Sequence, residues 1–149
     1  MAIMIVMIKT LTFINDPLVL SGMFLGGIFP FLVSAMTMTA VGESFNLGKN
    51  LGLDLNKLFD VISTSTGSCW AINSYCPIEG VGPKSPADNG FKPGFSVNLM
   101  YKDLNIALKA IESTGTSACF GKKAQESFKK MVDEKKGSLD FSAITMFNK

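Results

Sequence analysis

The stretch Gly94-Phe95-Ser96-Val97-Asn98-Leu99-Met100-Tyr101-Lys102-Asp103-Leu104 gathers the residue types best suited to meet a ligand. Phe95 stands at the mouth of a helix, and Lys102 and Asp103 follow about two turns further on. A lysine ammonium suits an anionic group, and a carboxylate can orient a polar neighbour. On spacing alone the plainer reading weighs more: an exposed lysine beside its ion-pair partner.

Other chemistries are narrowed by what the chain lacks. With 0 His there is no His general base, no Ser-His-Asp or Cys-His pair and no His-metal site. The 3 Cys, at 69, 76 and 119, fit no zinc spacing and leave one thiol over in any disulfide scheme. They read as reduced, partly buried thiols of a cytosolic or matrix compartment, and Cys69 would be a nucleophile without a base. No metal is expected. Neither G-x-G-x-x-G nor G-x-x-x-x-G-K-[ST] occurs, and Gly80-Val81-Gly82-Pro83 precedes no helix while Pro83 removes a donor.

These residues must be positioned by helices. Phe31 to Leu51 can run as one, with Val33, Met36, Ala40 and Leu47 recurring near helical spacing and Gly52 ending it. Asp54 looks like an N-cap for a short helix whose apolar face is Leu55, Leu58, Phe59 and Ile62. The Ser/Thr-rich run 63–68 stops it. Between Cys76 and Gly94, Pro77, Pro83, Pro86 and Pro93 with Gly80, Gly82, Gly90 and Gly94 predict a long loop with no regular element. Val97 to Thr114 returns to helix, striped by Met100, Leu104, Leu108 and Ile111 and stopped at Gly115. Ala118 to Glu134 is a second amphipathic helix with Phe120, Ala124, Phe128 and Met131 inward and its lysines in water. Ser138 to Phe147 closes the domain with a short helix. Ile3 to Ile8 reads as a short buried strand or, almost equally, helix. The body is predicted to be an all-α bundle.

The 149 residues allow one domain, and 47% hydrophobic against 17% charged excludes a disordered tail. A net charge of +2, with all 14 basic residues Lys, argues against a nucleic-acid module. Charge is spread unevenly: residues 17–42 carry none, and residues 1–42 carry only Lys9 and Asp16. A run of this length can span a bilayer. Gly26-Gly27 and Pro30 in mid-run, Ser34, Thr37 and Thr39, and the lack of flanking lysine clusters favour a buried core or interface helix instead. A secretory signal is poorly supported, since the start lacks a positive region. Residues 1–30 therefore read as an apolar leader and 31–149 as the helical domain.

Several short stretches, in order and spacing, resemble the β-hydroxyacid dehydrogenases and among them the 3-hydroxyisobutyrate branch. They are Asn46-Leu47-Gly48, Leu51-Gly52-Leu53-Asp54, Ser65-Thr66-Gly67-Ser68-Cys69-Trp70, Tyr75-Cys76-Pro77, Gly80-Val81, Ser85-Pro86-Ala87, Gly94-Phe95, Leu99-Met100, Lys102-Asp103-Leu104 and Asp140-Phe141-Ser142. The resemblance covers about residues 31–149. It implies the C-terminal helical bundle of a 6-phosphogluconate-dehydrogenase-like fold, headed by a long apolar interdomain helix that also builds a dimer, and without the Rossmann domain. It implies an NAD-dependent (or NADP-dependent) oxidation of 3-hydroxyisobutyrate to methylmalonate semialdehyde in valine breakdown.

By that resemblance Phe95 matches an aromatic beside the substrate, Lys102 a lysine that reaches the cofactor, and Asp103 a polar pocket residue. The family's catalytic lysine position falls on Gly27 and its substrate-holding Asn position on Phe31, so no catalytic residue is carried over. The expectation is a truncated or split enzyme, inactive by itself, that pairs with a missing Rossmann half or with its own copies. The alternative is a non-catalytic helical dimerisation module, with a membrane-tethered form as its variant. The implied compartment is the cytoplasm, or the mitochondrial matrix in a eukaryote.

Overall fold

A computed structural model describes residues 28–147. Most of the apolar leader, the Ile3–Ile8 segment and Gly27 lie outside the described residues. Every named element is helical: α1 (Ile28–Asn50), α2 (Leu55–Ser63), the short α3 (Trp70–Asn73), a 3-10 turn at Pro86–Asn89, α4 (Val97–Thr114), α5 (Cys119–Asp133) and a closing 3-10 helix at Phe141–Met146. The one bridge among the described residues pairs Ser96 with Asp140. The all-α expectation holds.

The helix ends follow local chemistry. Asp54 caps α2 by accepting from the amides of Asn56 and Lys57. Ser96 caps α4, and Gly115 ends it in the left-handed region at φ 66. Inside α1, Thr37, Thr39 and Ser44 return their hydroxyls to the carbonyls of Val33, Ala35 and Ala40, so an apolar helix tolerates them.

α1 is the spine, packed on α4, α5 and the closing 3-10 helix. Its buried line is Ala35, Met38, Val41, Gly42, Phe45 and Gly48. These meet Met100 and Leu104 of α4, Ala124, Phe128 and Met131 of α5, and Ala143 and Ile144. This corrects the stripe read from sequence. Val33 and Leu47 are exposed, as is Ala40, because the buried face is the one with small residues, where neighbours come closest. An evenly apolar helix carries no periodic signal that selects a face. By length and composition α1 would also cross a membrane, but its small-residue line is occupied by the bundle.

Two further expectations are corrected. Phe120 is 76% exposed, since α5 buries Gly121, Ala124, Phe128 and Met131, a line centred about 60° round the helix from Phe120. The loop after Cys76 is not devoid of regular structure. Ser85 and Asp88 form a capping box around the Pro86–Asn89 turn, Asp88 also accepts from the Gly80 amide at 2.8 Å, and the Ser85 hydroxyl donates to the Cys76 carbonyl at 2.6 Å. The Gly80 and Ser85 amides hold the Asp88 carboxyl below its ordinary range.

Gly42 marks the closest approach in the core. A Cβ there would stand 2.7 Å from Thr145 Cγ2 and 3.1 Å from Thr145 Cα. Gly42→Ala is expected to destabilise the fold by about 1–3 kcal/mol, read as a lower urea midpoint. An unchanged midpoint contradicts this packing.

Candidate functional site

Asp140 is fully buried at the start of the closing 3-10 helix. Burying a carboxylate costs several kcal/mol unless donors surround it, and here five do. Oδ1 accepts from the Ser142 amide (3.0 Å) and hydroxyl (2.7 Å). Oδ2 accepts from the Tyr75 hydroxyl (3.0 Å) and from the amides of Gly94 (2.9 Å) and Phe95 (3.1 Å). All five donors are uncharged. Backbone bonds align the same strands of chain: the Asp140 amide donates to Phe91, the Phe141 amide to Phe95 and the Val97 amide to Leu139.

This fastening sets aromatic rings around a cleft of about 330 Å³ lined by Phe31, Ser34, Trp70, Tyr75, Gly94, Phe95, Met100 and Phe141. Phe31 from α1 stacks flat on Phe95, with centroids 4.5 Å apart and planes 7° from parallel. Trp70 stacks on Tyr75 at 4.8 Å, and Phe141 links the two pairs, lying 5.6 Å from Tyr75 and edge-on to Phe95 at 6.2 Å. Gly94 has to be glycine here, since a Cβ would come within 2.8 Å of the Tyr75 hydroxyl. Burial, then the Asp140 charge and the bond to it, push the Tyr75 phenol well above its ordinary range. Tyr75 therefore stays a neutral donor to Asp140.

The structure places the sequence-derived candidates unequally. Phe95 is on the cleft wall, and Phe31 packs against it. Lys102 and Asp103 do not line the cleft; they pair with each other at 3.0 Å, the lysine exposed and the carboxylate mostly covered. Trp70, Tyr75, Phe141 and Asp140 were in the motifs that carry the resemblance but received no role from them. The usable signal was the spacing that returns an Asp-Phe-Ser segment to the bundle's end, next to a Gly-Phe pair. Cys69, Cys76 and Cys119 are all free thiols; Cys76 is buried and its thiol is pushed up by burial, which leaves it inert. Among the described residues no group of three or more candidate ligands could hold a metal.

Comparison with known proteins agrees with this architecture. The family described as NAD-binding of NADP-dependent 3-hydroxyisobutyrate dehydrogenase matches residues 31–147. A probable 3-hydroxyisobutyrate dehydrogenase of Mycobacterium tuberculosis is 45% identical over 113 residues, 76% of this chain and 38% of that protein. A probable mitochondrial 3-hydroxyisobutyrate dehydrogenase of Arabidopsis thaliana is 37% identical over 113 residues, 76% of this chain and 33% of that protein. The solved structure of a Mycobacterium tuberculosis 3-hydroxyisobutyrate dehydrogenase with L-serine superposes with TM-score 0.78 at 42% identity, covering 82% of this chain and 42% of that one. The chain thus spans well under half the length of the relatives it matches.

Asp140→Ala, which strands five donors, is expected to cost more than about 3 kcal/mol, and Asp140→Asn about 1–3 kcal/mol; equal stability of both with the wild type contradicts the hub. Tyr75 adds a pH signature. Its folded pKa lies above the value near 10 of an unfolded tyrosine. Its contribution is therefore complete below about pH 10 and is lost as the pH rises beyond it. Urea titrations should show a stability gap between wild type and Tyr75→Phe that is constant at neutral pH and shrinks above about pH 10. A gap that does not shrink overturns the assignment.

Proposed function

This chain belongs to the 3-hydroxyisobutyrate dehydrogenase family as its C-terminal helical domain, and from that premise we propose that it forms the ligand-facing helical half of an NAD(P)-dependent dehydrogenase acting on a small hydroxy acid. The family match over residues 31–147, laid on a cleft walled by Phe95, carries the reading. In it, 3-hydroxyisobutyrate is oxidised to methylmalonate semialdehyde, a step of valine breakdown. Phe95 packs against the substrate, with its backbone amide held by Asp140 and its ring stacked on Phe31. Lys102 reaches towards the cofactor from outside the cleft, and Asp103 holds the lysine in place instead of lining the substrate pocket.

The N-termini of α2 and α4 do not fit a dinucleotide. Its pyrophosphate needs free amides at a helix N-terminus. The first amides of α4 are taken by Leu139, Gly137 and the Ser96 hydroxyl, and those of α2 by Asp54. Lys102 is exposed and already paired with Asp103. The nucleotide-binding surface and the proton-transferring lysine belong, on this reading, to another part of the active assembly, because Gly27 and Phe31 occupy the positions the resemblance assigns to the lysine and the Asn. The 149-residue polypeptide is then inactive when alone. The matching compartment is the cytoplasm of a bacterium or the mitochondrial matrix of a eukaryote.

A second reading, a helical interaction module, is favoured by one observation. Phe29, Val33 and Leu47 along α1, and Leu51 just after it, are large, apolar and exposed. Such a face suits packing against a second copy or a nucleotide-binding half.

Two experiments test the proposal. Residues 32–147 grafted behind the preceding part of the Mycobacterium tuberculosis relative should give a folded chimera that reduces nicotinamide with 3-hydroxyisobutyrate. The 149-residue chain alone should give no reduced nicotinamide. A folded but silent chimera overturns the family function, and turnover by the isolated chain overturns its dependence on a further part.

A further inference from the structure

Most of the cleft's donors are already spent. The Tyr75 hydroxyl and the amides of Gly94 and Phe95 all point at Asp140, which leaves the Ser34 hydroxyl and the Trp70 indole N–H, both uncharged, among the lining residues. No charged side chain lines the cleft; Ser34 and Tyr75 carry the only hydroxyls among its lining residues. Behind Tyr75 sits the Asp140 carboxylate, a buried negative charge one hydrogen bond away from the cleft wall. Around it stand five aromatic rings, with Phe31 laid over Phe95 and Trp70 half-exposed at the rim. A carboxylate placed here would lose hydration and find no cation, only the neutral Ser34 hydroxyl and Trp70 N–H, while an uncharged apolar group would gain ring contacts without that charge penalty.

We infer that the cleft is a binding site for a small neutral ring compound or the equivalent apolar part of a ligand, and that it discriminates against a carboxylate. Its volume of about 330 Å³ is at the small end of ligand pockets and suits one or two rings. Phe31 is the specificity-determining residue, since its ring supplies one wall of the cleft and covers Phe95. The inference rests on the cleft being the ligand-facing wall proposed above. Within that reading a hydroxy-acid substrate turns its apolar side to this wall and its carboxylate away from it.

The chain's single tryptophan, Trp70, lines the cleft and serves as the reporter. Benzamide and benzoate share a ring and a planar substituent and differ in charge, so titrating the intact chain with each isolates the charge effect. Benzamide should shift Trp70 fluorescence saturably, with a dissociation constant about tenfold below that of benzoate. Phe31→Ala should weaken benzamide several-fold while the far-ultraviolet circular dichroism keeps its helical signal. Phe31→Leu, which keeps the apolar bulk and loses the ring, should fall between. Benzoate binding as tightly as benzamide overturns the ligand class but leaves the ligand-facing wall standing. Saturable change with neither compound overturns both. Should Phe31→Ala lose its helical signal, the wild-type comparison still decides.

Discussion

A carboxylate without water must collect its own donors, and Asp140 does so from three separate segments of the chain. Hydrogen bonds to a charged group are worth about 1.5–3 kcal/mol each, against a desolvation cost of several kcal/mol. The net gain is modest, but the geometry is exacting. Any shift of residues 75, 94–95 or 142 would leave a buried charge short of a partner. The fastening therefore fixes the loop after α3, the start of α4 and the closing 3-10 helix relative to one another. The cleft is the space those three pieces and α1 leave between them. Its aromatic walls and its shortage of free donors have the same origin, because the polar groups nearest the cleft are engaged below it.

α1 meets this arrangement with two different faces. Ala35, Gly42 and Gly48 let it press closely on the bundle, while Met38 and Phe45 fill the core. Its N-terminal turns bring Phe31 and Ser34 to the cleft. Its outer face keeps Phe29, Val33 and Leu47 exposed, and Leu51 just beyond it is exposed too. One helix thus serves as core element, cleft wall and, among the described residues, exposed apolar surface, which explains a composition with only Glu43 and Lys49 charged that would also suit a bilayer.

Much of the architecture was legible in the sequence because it depends on local chemistry. Asp54 and Gly115 punctuate helices by capping, and the 3.6-residue spacing of Met100 and Leu104 or of Phe128 and Met131 marks buried faces. Phe95 was legible as a residue at a helix mouth. The inward face of α1 was not, since a helix apolar all round leaves the choice to its neighbours. Phe120 was misread for a related reason: small Gly121, not the large ring, sits where α1 approaches through Leu32. Asp140 was the least legible. A lone acidic residue near the end of a chain looks like surface until Tyr75, 65 residues away in sequence, is seen to donate to it.

The account depends on the amides of Gly94 and Phe95 being held by a buried carboxylate. Native-state hydrogen exchange reads those two amides directly. They should exchange only through global unfolding, with protection matching that of core amides such as Leu104, although they lie in a loop rather than inside a helix. Exchange at the rate of an exposed loop would contradict the account, because the carboxylate would then not be holding the cleft in place.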